Sequence, residues 1–207
     1  NWVIAALGAT LYLGYLLLPL GKIFTARFGA AKCQALCWIL RNLASLCVAF
    51  TALFYYWGLQ GLGIFTLLTG AFAFYGFRGA GVIMSTPLMG AVTTSEDMPK
   101  TLAVNSGVFY VFSMLTMLGI YFVLGFGSNV WVLAGIMVAG AICGLLSSRL
   151  IASVDEPAAL RNSARKSLIP QLHGIVRDAG ILRLIMANAT VNMAVIMIAP
   201  ISMLALK

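Results

Sequence analysis

The sequence predicts an all-α integral membrane protein, a polytopic bundle of about six transmembrane helices, and three observations carry that prediction. Hydrophobic residues make up 62% of the 207 residues, charged residues only 9%, and mean hydropathy is +1.02. A soluble domain is about 25% charged, so this chain lacks the polar groups to cover a surface in water. Apolar stretches near the roughly 20 residues that cross a bilayer fall at about 2–20, 33–57, 62–92, 101–125, 129–151 and 184–206. Their period is helical, without the alternating ten-residue pattern of a membrane barrel.

In the first stretch, Gly8, Tyr12, Tyr15 and Pro19 share one helical face. Segment 20–32 then carries Lys22, Arg27 and Lys32 and is expected to be a loop. The second stretch holds Arg41 about two turns in, close enough to snorkel toward the interface. Stretch 62–92 exceeds what a perpendicular span needs, so it tilts or overruns, with Pro87 expected at its fraying end. Within it, FAFYGFRGAGVIM places Arg78 in an apolar run, on a face with Tyr75, Gly81 and Ser85. Glu96 and Asp97 precede Pro99 and Lys100 as a loop and helix-start signal. The fourth stretch aligns Asn105, Phe109, Ser113 and Thr116, and the last places Asn188 and Asn192 one turn apart, ahead of Pro200. Between the fifth and last, SVDEPAALRNSARKSLIPQLHGIVRDAG is the most charged interruption, with Leu168, Leu172, Ile175 and Val176 on one face of an expected interfacial helix. The expected organisation is therefore 1–151 as a first bundle, 152–183 as a linker and 184–207 as the first helix of a second bundle.

Basic residues set the orientation. Lys22, Arg27, Lys32, Lys100, Arg149, Arg161, Arg165, Lys166, Arg177 and Arg183 fall in alternate connections, whereas GLQG at 58–61 and FGS at 126–128 hold none. Lys and Arg are retained in short cytoplasmic loops, so Asn1 is expected outside and 152–183 in the cytoplasm. This asymmetry accounts for the net charge of +8 and pI of 9.6, and no nucleic-acid partner is expected. Cys33 and Cys37 lie one turn apart, but no histidine or carboxylate accompanies them, so they and Cys47 and Cys143 are expected as small hydrophobes rather than metal ligands. His173, the single histidine, is expected to be solvated. No cleavable leader is visible and the chain starts at Asn, so a piece of a longer protein is expected.

An arginine at the centre of a span costs about 2.5–3.5 kcal/mol on insertion scales, so Arg78 should face a cavity or a partner rather than lipid. Either it binds a solute, or it is held by carbonyls or by a carboxylate on another helix. No Asp or Glu lies inside any apolar stretch. A negatively charged solute then suits Arg78, since a guanidinium grips carboxylate and phosphate through two parallel hydrogen bonds. The small and polar stripes elsewhere serve equally as helix-packing positions.

The connection PLGKIFTARFGAAK, residues 19–32, resembles the loop between the second and third helices of major facilitator superfamily (MFS) transporters, through Pro19, Leu20, Arg27, Gly29 and Lys32. Lys22 and Ala26 stand where that motif has glycine and aspartate. In that register the long segment after the fifth stretch is the family's central linker, and the chain covers helices two to seven. The resemblance implies alternating access about a midplane site, with the fourth helix lining the cavity. It implies a gating loop at Arg27, Gly29 and Lys32, and a substrate site drawn from Arg78, Tyr75, Tyr12, Tyr15, Asn105, Asn188 and Asn192. The expected function is secondary transport of a small solute, an organic anion or carboxylate-bearing metabolite, by a symporter or antiporter with proton or sodium as coupling ion. No cofactor, a monomer and a plasma or bacterial inner membrane location are expected. A multidrug or siderophore efflux pump has the same fold. A membrane enzyme would have only Glu96 and Asp97 to offer, and a channel would need a re-entrant filter for which the outer loops leave no room.

Overall fold

A computed structural model describes residues 2–94, 96–125, 127, 129–156, 162, 177–184, 186, 187 and 190, without the side chains of Leu11, Tyr15, Thr86 and Val92. The regular structure of these residues is all helical, without strands. The elements are α1 (Trp2–Leu13), a 3-10 turn (Gly14–Leu17), α2 (Leu18–Phe28), α3 (Ala30–Ala49), α4 (Thr51–Tyr56), α5 (Gln60–Val82), α6 (Ser85–Val92), α7 (Met98–Gly125) and α8 (Val130–Ala152). Four helical stretches are long and apolar enough to cross a membrane: Ala30–Tyr56, Gln60–Ala91, Met98–Gly125 and Val130–Ala152. These support a membrane-embedded protein.

Two prolines shape the helices. Each lacks an N–H and crowds the carbonyl four residues earlier, so the helix breaks just upstream. Pro19 follows the 3-10 turn at Gly14–Leu17, and Pro87 follows the interruption at Ile83 and Met84. The break in 62–92 thus precedes Pro87, which sits in the first turn of α6 rather than at a fraying end. Segment 20–32, expected as a loop, is helical on both sides of a single joint, Gly29, whose φ is 93°. The helix-capable run IFTARF carries α2 through to Phe28, and only a residue without Cβ turns the chain there.

Small residues let the helices approach. The buried positions of α3 include Ala30, Ala31, Cys33, Ala35, Cys37 and Ala44, and those of α5 are Gly63, Gly70, Gly76, Gly79, Ala80 and Gly81. A Cβ added at Gly14 would lie 2.6 Å from the Tyr75 carbonyl carbon, so α5 rests directly on the turn after α1. Gly81 faces Cys37 and Trp38, while Gly70 faces Ala44 and Val48, which makes α3 and α5 antiparallel. On another side of α3, Asn42 is buried against Gly144 of α8, and its amide donates to the Trp38 carbonyl at 2.8 Å. Such close packing is what joins helices where lipid removes the hydrophobic drive between them. Cys33 and Cys37 pack with Ala80, as small hydrophobes do, whereas Cys47 and Cys143 are exposed.

The joint at Gly29, α6 and the segment after α8 meet at one end. There Ala30 and Ala31 pack with Met84 and Leu88, and the Ala31 N–H donates to the Glu156 carboxylate at 2.9 Å. At the opposite end Tyr56 meets Trp131 edge-on at 6.0 Å. Helix α7 stands apart: none of its described residues is buried, and it makes only a light contact with α8. Asp97 organises its start, accepting from the Thr94 hydroxyl at 2.8 Å and pairing with Lys100 at 3.8 Å.

The chain divides into two compact units, Asn1–Arg165 and Lys166–Lys207. In the second, the Asp178 carboxylate accepts from the N–H groups of Gly180 and Ile181 and caps the helical stretch 179–184. The expected interfacial face at Leu168, Leu172, Ile175 and Val176, and nearly all of the stretch at 184–206, lie outside the described residues.

Candidate functional site

The site is organised by α3 and α5. Arg78 stands on α5, one turn beyond Phe74, and its side chain is exposed although the residues around it are apolar. Tyr75 is half-buried, its ring edge-on to Phe74 at 5.3 Å. Across the interface Arg41 projects from α3. Its guanidinium carbon lies 4.3 Å from the Trp38 ring centroid and 5.3 Å from that of Phe74. Cation–π contact of this kind holds a guanidinium against an apolar wall.

Helix α3 begins at Ala30, which puts Arg41 eleven residues, about 16 Å, into a continuous helix. The side chain is half-buried, and its Nε is sealed from solvent without a hydrogen-bond partner among the described residues. Phe74 touches Arg41 across the interface and precedes Arg78 by one turn of α5, so the two arginines lie near one another along the α3–α5 contact. Neither has a carboxylate or hydrogen-bond partner among the described residues, and the described residues contain no cluster of three His, Cys, Asp or Glu side chains that could hold a metal.

The other expected residues are distributed less compactly. Tyr12 lies on α1, 45% exposed, and Tyr15 lies in the 3-10 turn against which α5 packs. Asn105 is exposed on α7, in a shallow hollow with Asp97, Lys100 and Thr101, and α7 has no extensive interface with α5. The structure thus packs the 3-10 turn against Tyr75 and Gly76, about one turn before Arg78 on α5, and does not bring α7, which carries Asn105, into extensive contact with α5. Asn188 and Asn192 lie outside the described residues.

Two of the residues expected to form a gate, Gly29 and Lys32, lie beside an acid that sequence reasoning passed over. Gly29 is buried, and a Cβ there would collide with the Glu156 carboxylate, which occupies that space to cap α3. A carboxylate at this point satisfies an otherwise orphan N–H and opposes the positive end of the helix dipole. Lys32, in the first turn of α3, borders the same cleft of ≈350 Å³ with Phe28, Asp155 and Glu156. Arg27 closes the last turn of α2, where a cation suits the dipole, 5.5 Å from the Phe28 ring centroid. Two signals were present in the sequence: Trp38 three residues before Arg41 as a stacking partner, and the acids Asp155 and Glu156 directly after an apolar span.

Comparison with protein-family models, with curated proteins and with solved structures returned no significant match to this chain.

Proposed function

We propose that the protein is a secondary active transporter of the MFS type that moves a small organic anion by alternating access, with Arg78 as the principal contact for the solute's negative charge. The observation that carries this is the exposed guanidinium of Arg78 within a membrane-length apolar helix, without a carboxylate partner among the described residues. A cation so placed is costly unless it faces a water-filled cavity or a counter-charge. A transport site supplies both in turn, water when empty and an anion when loaded. The end of the bundle at Gly29, Met84 and Glu156 gathers the connections rich in Lys and Arg, which favours that end as cytoplasmic. The glycine-lined contact of α5 with the turn at Gly14–Leu17 provides a surface along which one helix slides on another.

The test is ligand-dependent thermal stabilisation of the purified full-length protein, run against a panel of small carboxylates and phosphates beside uncharged analogues. The wild type is expected to be stabilised by a subset of the anions, and Arg78→Ala to melt near the wild-type temperature without that shift. An Arg78→Ala protein that retains the full anion shift refutes the assignment.

A further inference from the structure

Two guanidinium groups carried close to Phe74 in an apolar bundle repel each other, and among its described residues the chain places no carboxylate beside them. Its five acids are Glu96, Asp97, Asp155, Glu156 and Asp178, all outside the apolar stretches. Arg41 is fixed from two helices, by Trp38 of α3 and by Phe74 of α5, and its Nε is buried with no partner among the described residues. Phe74 places Arg78 one turn away on the same helix. Salt bridges, backbone carbonyls or lipid headgroups commonly satisfy a membrane arginine, but the described residues give this pair neither a carboxylate nor a carbonyl partner.

We propose that Arg41 and Arg78 together hold one compact dianion of the phosphate class, free phosphate or a phosphate monoester, at the α3–α5 interface. This rests on the anion-transport reading of Arg78 and deepens it: Arg41 selects for the second negative charge. Guanidinium forks match phosphate oxygens geometrically, and two of them neutralise a dianion where a single one leaves half the charge uncompensated in a low-dielectric setting. The aromatic pair, Trp38 and Phe74, restricts Arg41 in advance, so little side-chain freedom is lost on binding. Without anion the two cations destabilise the bundle; with it they are bridged.

The experiment compares the purified full-length wild type with Arg41→Met, Arg41→Lys and Arg78→Met by thermal unfolding and calorimetric titration. The probes are sulfate, inorganic phosphate and methyl phosphate, with nitrate at matched ionic strength as the monoanion. In the absence of these dianions Arg41→Met is expected to melt at or above the wild-type temperature, because one of two repelling charges is gone. The wild type is expected to bind at least one of the dianions at least tenfold more tightly than nitrate. Arg41→Met should lose that preference and keep nitrate binding, Arg41→Lys should fall between, and Arg78→Met should lose both. Methyl phosphate binding as well as inorganic phosphate identifies the monoester arm; phosphate and sulfate without methyl phosphate identifies the free anion. A dianion preference that survives in Arg41→Met but vanishes in Arg78→Met overturns the paired site and leaves Arg78 alone as the anion contact. Equal binding of dianions and nitrate by the wild type overturns it too, as does an Arg41→Met protein that fails to fold. If neither variant changes any binding, the anion reading of Arg78 falls as well.

Discussion

Replacing Gly29 by alanine and Glu156 by alanine, singly and together, probes the joint that holds one end of the bundle. Glu156 accepts the Ala31 N–H at 2.9 Å, so Glu156→Ala removes an N-terminal cap and a favourable charge–dipole contact from α3. Caps are worth about 0.5–2 kcal/mol and the dipole contribution about 0.3–1 kcal/mol, and because both describe the same carboxylate contact and overlap, the loss is about 1–2 kcal/mol. Gly29 has φ 93° and ψ 164°, a region open essentially to glycine alone, and alanine there costs about 1–3 kcal/mol in backbone strain. The new Cβ also displaces the Glu156 carboxylate, so the cap is forfeited as well and the total rises to about 2–5 kcal/mol. In the Glu156→Ala background only the strain remains. The two substitutions should therefore be sub-additive by about 1–2 kcal/mol. Hydrogen exchange of the amides at the start of α3 reads this locally: Glu156→Ala should accelerate the Ala31 amide by roughly 5- to 30-fold. Strict additivity, or an Ala31 amide whose exchange is unchanged in Glu156→Ala, refutes the capping role.

Three further outcomes are expected. Gly81→Ala places a methyl group 3.0 Å from the Cys37 Cβ and 3.2 Å from the Trp38 ring, so it should destabilise by about 1–3 kcal/mol through overpacking; an unchanged melting temperature contradicts the close α3–α5 approach. Asn42→Ala should cost about 1–2 kcal/mol by removing the amide packed against Gly144 and its hydrogen bond to the Trp38 carbonyl, measured by thermal unfolding; a stabilised variant contradicts it. In a cysteine-free background, a cysteine at Gln60 should react with an impermeant thiol reagent added outside intact cells, and one at Lys100 only after the membrane is opened. The reverse pattern would invert the proposed orientation.

Composition and span length were legible because a bilayer imposes one length scale on every crossing segment, and stretches 101–125 and 129–151 match Met98–Gly125 and Val130–Ala152 to within three residues. The helical nature of 20–28 was not, since Lys22 and Arg27 read as loop charges while the backbone extends past the apolar run until Gly29 turns it. Pro87 signalled a break but not its side: the steric effect of proline acts on the preceding turn, at Ile83 and Met84. Arg78 was conspicuous as a lone charge in an apolar run, whereas the aromatic surroundings of Arg41 were not legible. Its contact with Phe74 joins residues more than thirty positions apart, which no local pattern reveals. The same holds for Glu156, whose partner Ala31 is 125 residues away.

Transport itself is tested most directly by reconstituting the full-length protein in liposomes and recording charge movement on a solid-supported membrane during jumps in small-anion concentration. Wild type is expected to give a saturable current for an anion that also stabilises it against heat, with Arg78→Ala giving none at equal incorporation. Saturable anion current of wild-type size from Arg78→Ala liposomes would contradict the proposal that this arginine carries the solute's charge through the protein.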